Sequence, residues 1–135
     1  MKVLPPHFSM ISAQTSGEHN EAAHQQLKND LKKHGFKHTE VAGHYGGTPE
    51  KSYMVEHSGH EQEKAKIEDL GRKHKQESVL HSSVNKNGTR ENTLKYSDKR
   101  PDVTGSGHTV DSKATDFYTE HPTIGKFQVG LNFPE

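Results

Sequence analysis

The stretch GHYGGTPEKSYMV, residues 43–55, sets a phenol, a carboxylate and a hydroxyl (Tyr45, Glu50 and Ser52) among three glycines and a proline. Glycine adopts backbone angles that other residues resist, and a residue before proline, here Thr48, is held extended. A turn of this kind can present backbone N–H groups to an anionic ligand, with Tyr45 stacking and Glu50 accepting hydrogen bonds. A plain hairpin connection between two strands accounts for the same glycines, with Glu50 and Ser52 as ordinary polar residues at a strand entry.

A second set of residues is defined by spacing. The pattern His-x-Ser/Thr followed by an apolar residue occurs as His7-Phe-Ser9-Met, His81-Ser-Ser83-Val and His121-Pro-Thr123-Ile. In two-histidine phosphoesterases each such histidine moves a proton while the hydroxyl holds phosphate. His7, Ser9, His81 and Ser83 are therefore the alternative catalytic set, acting on a nucleotide substrate. With 12 histidines among 135 residues, and serine and threonine common throughout, accident produces such matches about as readily.

Other chemistries lack their signatures. His60-Glu61 is not followed by the second histidine of a helical zinc motif, and His19 and His24 are too far apart in helical phase to share a face. His57 and His60, with His44 across a hairpin, could bracket a metal, but no third ligand is fixed by spacing, so no metal and no cofactor is expected. Gly105-Ser106-Gly107 is not a nucleophile elbow, and neither a P-loop nor a dinucleotide-binding glycine motif is present.

The elements that must position these groups follow from periodicity. HFSMISA (7–13) reads as a strand. Thr15 with Glu18 has capping-box spacing, and Ala23, Leu27 and Leu31 then recur every fourth residue up to Gly35, which predicts a helix. Strands are expected at 36–41 and 52–57. Ser58 with Glu61 predicts the start of a helix over 61–74, supported by Glu68–Arg72 and Asp69–Lys73 pairs. Further strands are expected at 77–84, 93–96 and, most plainly, in KFQVGLNF, where Phe127, Val129, Leu131 and Phe133 share a face. Residues 97–116 have almost nothing to bury and read as a long loop. The expectation is one α+β domain over 1–135: a mostly antiparallel sheet with two helices packed on one face.

Composition limits the partners. Leu, Ile, Val and Phe are few, so the core is thin and self-association into a homo-oligomer would supply missing burial. Eighteen basic residues balance 18 acidic ones, which makes nucleic acid an unlikely partner. There is no cysteine, no signal-peptide pattern and no apolar run of membrane-spanning length, so a cytoplasmic protein with no membrane partner is expected.

HFSMISAQ, Asn20 ahead of Leu27 and Leu31, GFKHTEVAGHYGGTPEKSYMV and KQESVL together resemble a family of small bacterial and phage proteins with no assigned function. Its members share a strand ending in a small polar pair, an asparagine at a helix start, a G-x-Y/W…E-x-S turn and a Q-x-S/A-V-L strand. The resemblance covers roughly 7–82, reaches loosely to the C-terminal tail and leaves 97–116 outside. It implies that Ser12, Asn20, Tyr45, Glu50, Ser52, Gln76 and Ser78 form a ligand-binding set at strand ends. The resulting expectation is a small accessory protein, non-enzymatic, that binds a polar, nucleotide-like ligand or a protein partner. A virion or assembly component is a further alternative.

Overall fold

The structure is a computed structural model that describes residues 3–12, 21–45, 48–76, 78–110 and 117–132. Nine strands are described: β1 (His7–Ile11), β2 (Lys37–Tyr45), β3 (Thr48–Glu56), β4 (Ser78–Val84), β5 (Arg90–Tyr96), β6 (Val103–Ser106), β7 (His108–Val110), β8 (Phe117–His121) and β9 (Gly125–Val129). Two helices, α1 (Glu21–Lys33) and α2 (Glu61–Lys73), follow β1 and β3. All nine strands join one sheet in the order β6-β5-β4-β1-β3-β2-β8-β9-β7, and the pairings are antiparallel.

Period-two alternation divides the apolar residues between two cores. Ile11, Tyr53, Val55 and Val79 point outward to meet Leu27 and Leu31 of α1 and Ile67 and Leu70 of α2. Their neighbours Phe8, Met10 and Met54 point the other way, to Val41, Ile124 and Phe127. Phe8 and Phe127 meet edge to face, with centroids 6.2 Å apart and both rings almost wholly buried. Each such ring contributes on the order of 2–3 kcal/mol by leaving water.

The second core overturns the expected architecture. A sheet carrying two helices on one face would leave its other face to solvent, whereas here the sheet curls around that face into a nearly closed barrel. Closure runs through the segment expected to be a long loop. Val103–Ser106 pairs with β5 and, one residue later, His108–Val110 pairs with β9, so a single stretch of chain joins the two ends of the sheet. Gly107 between them has φ 80°. Asn132 N–H donates to Thr104 O at 2.9 Å, and Gly130 N–H to Gly107 O at 3.1 Å. A Cβ on Gly105 would strike the carbonyl of Gly130, and one on Gly130 would strike that of Ser106, so only glycine permits this approach.

Asn92 locks the seam from inside. Its side-chain amide donates to Gly107 O at 2.9 Å and Gly130 O at 3.0 Å, and its oxygen accepts from Ser82 Oγ at 2.6 Å. Arg90 donates to Ser82 Oγ at 2.9 Å and Pro5 O at 2.8 Å, with its guanidinium 5.4 Å from the Phe8 ring centroid. Partners therefore satisfy these buried groups, with the exception of Arg90 Nε, which is buried without one.

Smaller corrections have local causes. Of the 43–51 stretch, residues 43–45 and 48–51 are strand. Ser58 does not cap α2; His60 occupies the N-cap position, and Ser58 N–H and Oγ–H instead donate to Glu63. Asp69 bonds Arg72, while Lys73 and His74 reach across to Asp30 and Glu68 turns to the sheet. β9 ends at Val129, leaving Leu131 beyond the strand, and Phe133 lies outside the described residues, as does the Thr15–Glu18 box.

Candidate functional site

Register decides which polar groups meet at the strand ends. Ile11 lies opposite Tyr53, and Met10 opposite Leu80. Extending this register one step past the end of β1 sets Ser12 beside Ser52 on β3 and Ser78 on β4, three hydroxyl residues at neighbouring strand ends. Ser52 shares its face with Met54, and Ser78 shares its face with Leu80, so both sit at one end of the barrel interior. Ser12 and Ser52 are buried, and Ser12 Oγ donates to Lys51 O at 2.7 Å, fastening the end of β1 to β3. Ser12 Oγ also approaches Nε2 of buried His24 on α1 at 3.5 Å.

The remaining members of the implied set lie around this row. Glu50, half-buried, follows Ser52 outward on the same face, opposite Gly43. Gln76, buried, precedes β4; its N–H donates to Gly71 O at 2.8 Å and its carbonyl accepts from Ser97 Oγ at 2.6 Å. The backbone of Tyr45 ends β2, paired with Thr48 and Phe117, four residues beyond the position opposite Ser52. Asn20 lies outside the described residues.

The alternative set forms a compact block on the outer face of the sheet. Cross-strand pairing puts His7 opposite Ser83 and Ser9 opposite His81. Ser9 Oγ stands 2.5 Å from His81 Nδ1 and 3.0 Å from His57 Nε2. His81 Nε2 lies 3.1 Å from Glu68 Oε2 of α2, and Lys95 Nζ lies 3.6 Å from the other Glu68 oxygen. His7 stacks on His57 at 6.3 Å. The Nδ1 of His7 and the Oγ of Ser83 are buried without a hydrogen-bond partner. Ser9 is wholly buried beneath α2, so its hydroxyl faces imidazoles and no solvent.

Burial is the main electrostatic influence in this block. It lowers the His81 pKa from 6.5 to about 4, and Lys64, His57 and Lys95 push in the same direction. Burial also lowers that of His57, against an opposing pull from Glu63. Both rings are neutral at pH 7. Glu63 is held below the usual carboxylate range, first by the Ser58 hydroxyl.

The period-two spacing of His-x-Ser could identify His7, Ser9, His81 and Ser83. Spacing did not single out Glu68 or assign His57 to this block, because a helix and a turn deliver them from elsewhere in the chain. The third match, His121-Pro-Thr123, is a turn in which His121 Nδ1 accepts from the backbone N–H groups of Thr123 and Ile124, both at 3.1 Å. His44 stacks on Tyr118 at 4.3 Å, and His57 Nδ1 accepts from Gly59 N–H, so the proposed bracket of three histidines does not form. Among the described residues no group of three or more His, Asp or Glu could hold a metal ion. A shallow groove of about 480 Å³ lies between the end of α1 and the start of α2, lined in part by His34, Phe36, Gln62 and Lys66, and it contains none of the expected residues.

A small antiparallel barrel with a polar row at one rim and two helices strapped outside defines the class. The family model for the S-adenosylmethionine lyase family matches residues 8–128, and the chain belongs to that family. The match takes in the segments that carry the resemblance to small bacterial and phage proteins, and also residues 97–116, which that resemblance leaves outside. No curated protein matches the chain. Among the described residues no helix is long and apolar enough to cross a membrane.

Proposed function

We propose that this protein is a lyase acting on S-adenosylmethionine, with its site at the barrel rim around Ser12, Ser52, Ser78 and Glu50. The observation that carries the reading is the family match, which spans seven of the nine strands completely and all but one residue each of β1 and β9. The rim fits the chemistry such a substrate demands, and the mouth of a small barrel is a common place for a ligand. A sulfonium carries a fixed positive charge and leaves as a neutral thioether, so carbon–sulfur cleavage needs no water and no redox partner. A carboxylate near the sulfur attracts that charge and can accept a proton from a neighbouring carbon. Glu50 has that role, and Ser12, Ser52, Ser78 and Gln76 supply hydrogen bonds to the ligand's nucleoside and amino-acid ends. Tyr45 and Asn20 complete the set by residue type.

The sequence expectation of a nucleotide-like ligand agrees with this reading; the expectation of a non-enzymatic protein does not. The test is incubation with S-adenosylmethionine and chromatographic detection of the released thioether. The wild type should turn over, and Glu50→Gln should lose at least about 100-fold in rate, the usual scale for removing a proton-transfer group. Saturable binding without thioether release would return the protein to the accessory-binder class. Cleavage of a cyclic dinucleotide, lost in His81→Ala, would favour the phosphoesterase alternative.

A further inference from the structure

Hydrogen-bond direction in the block under α2 is determined by its partners. Gly59 N–H donates to His57 Nδ1 at 3.0 Å, so in neutral His57 the ring proton sits on Nε2 and is donated to Ser9 Oγ. Ser9 must then give its only proton to His81 Nδ1, and His81 keeps its own on Nε2, donated to Glu68. The chain of donation runs one way: Gly59 to His57 to Ser9 to His81 to Glu68. It joins the 57–60 turn, β1, β4 and α2, and it closes only when both imidazoles are neutral.

We infer that this relay is an acid-released latch, which holds the 57–60 turn and α2 against the sheet while both histidines are neutral and frees them when either gains a proton. Protonated His57 would point an N–H at the Gly59 N–H. Protonated His81 would point an N–H at a Ser9 oxygen already accepting from His57, leaving the Ser9 proton with no acceptor. Both are donor-to-donor conflicts in a dry place, where an unmet group is expensive. The charged groups facing the pair do not relieve them. His7 on β1, Lys64 on α2 and Lys95 on β5 add positive charge; Glu61, Glu63 and Glu68 on α2 oppose it, and Glu68 already pairs with Lys95 while Glu63 already binds Ser58. Complete burial of Ser9 makes the relay a fastening and not a presented nucleophile.

The sign follows from linkage. A histidine whose folded pKa is depressed binds more protons when released, so the closed form is fully favoured above about 6.5 and loses ground as the pH falls toward about 4. The full change for His81 is about 300-fold in the closed-to-open ratio, tenfold for each pH interval of one between those two values. The experiment is amide hydrogen exchange on the intact chain from pH 7.5 to 4.5, corrected for intrinsic rates. Protection of residues 61–73 should fall more than tenfold across that range while the β2–β3 pairing keeps its own. His81→Asn, which retains an acceptor near Nδ1 but cannot charge, should make the α2 profile shallower, leaving only the contribution of His57. Should that variant fail to fold, nitrogen shifts of the wild-type imidazoles at pH 7 report the tautomers directly: both must carry the proton on Nε2. Loss of protection in α2 and the barrel together, or a proton on Nδ1 of either ring, would overturn the latch.

Discussion

His81 and Ser82 are adjacent, yet they serve two polar networks on opposite faces of the same strand. Inward, Ser82 joins Arg90 and Asn92 at the seam that closes the barrel. Outward, His81 joins Ser9, His57 and Glu68 beneath α2. Both are buried and almost wholly satisfied, but they differ in what can change them. The seam uses amides, hydroxyls, carbonyls and a guanidinium, none of which alters its charge in the accessible pH range. The relay uses two imidazoles that must stay neutral against burial and neighbouring lysines. One sheet thus carries a permanent closure on its concave side and a titratable fastening on its convex side.

The hardest test of that contrast is Asn92→Ala. Three hydrogen bonds disappear, and the half-buried carbonyls of Gly107 and Gly130 each lose the Asn92 donor. The expected loss is about 3 kcal/mol in urea unfolding at pH 7. A loss below about 1 kcal/mol would mean that the glycine approach alone closes the barrel.

Acid provides the next test. Between pH 7 and pH 5 the carboxylates held low, Asp30 and Glu63, remain largely ionised in either state, so the histidines dominate the change. With its pKa moved from 6.5 to about 4, His81 alone should remove about 2 kcal/mol by pH 5, and His57 acts in the same direction. Because the two networks share no hydrogen bond, Asn92→Ala should lose the same amount over this interval as the wild type. A smaller acid loss in the variant would show that the seam and the relay are coupled.

Legibility in the sequence followed the same division. Helices α1 and α2 and strands β1, β3 and β4 are written in apolar spacing that is independent of distant partners: Leu27 with Leu31, Ile67 with Leu70, Phe8 with Met10. The β6–β7 segment is not, because Val103 is its one buried residue and its place is set by backbone pairing, two close glycines and the Asn92 amide. Without that segment the sheet looks open, and two helices on one face is the natural reading. At the rim, polar residue types at strand ends made Ser12, Ser52 and Ser78 visible, but their alignment depends on register. At the relay, His-x-Ser spacing showed that two strands each carried a polar pair on one face. It could not show that a glutamate from α2 and a histidine from a turn would meet them.

The weakest of the polar contacts bounds the comparison from below. Asp30 of α1 receives Lys73 Nζ at 3.0 Å and His74 Nε2 at 2.8 Å from the end of α2, tying the two helices together at the surface. Hydrogen bonds from His74 and then Lys73 hold the Asp30 carboxyl below its ordinary 3.8, so this contribution is present above that value and disappears as pH falls through the lowered one. Lys73 is well exposed, and solvent screens the pair. Asp30→Asn keeps an acceptor for His74 and removes only the charge, so it should cost less than about 1 kcal/mol at pH 7, measured by the same unfolding titration. Added salt should shrink even that difference while leaving the Asn92→Ala loss untouched. If the surface substitution instead matched the seam substitution in size, the helices would be holding the barrel shut from outside, and the concave seam would be its consequence.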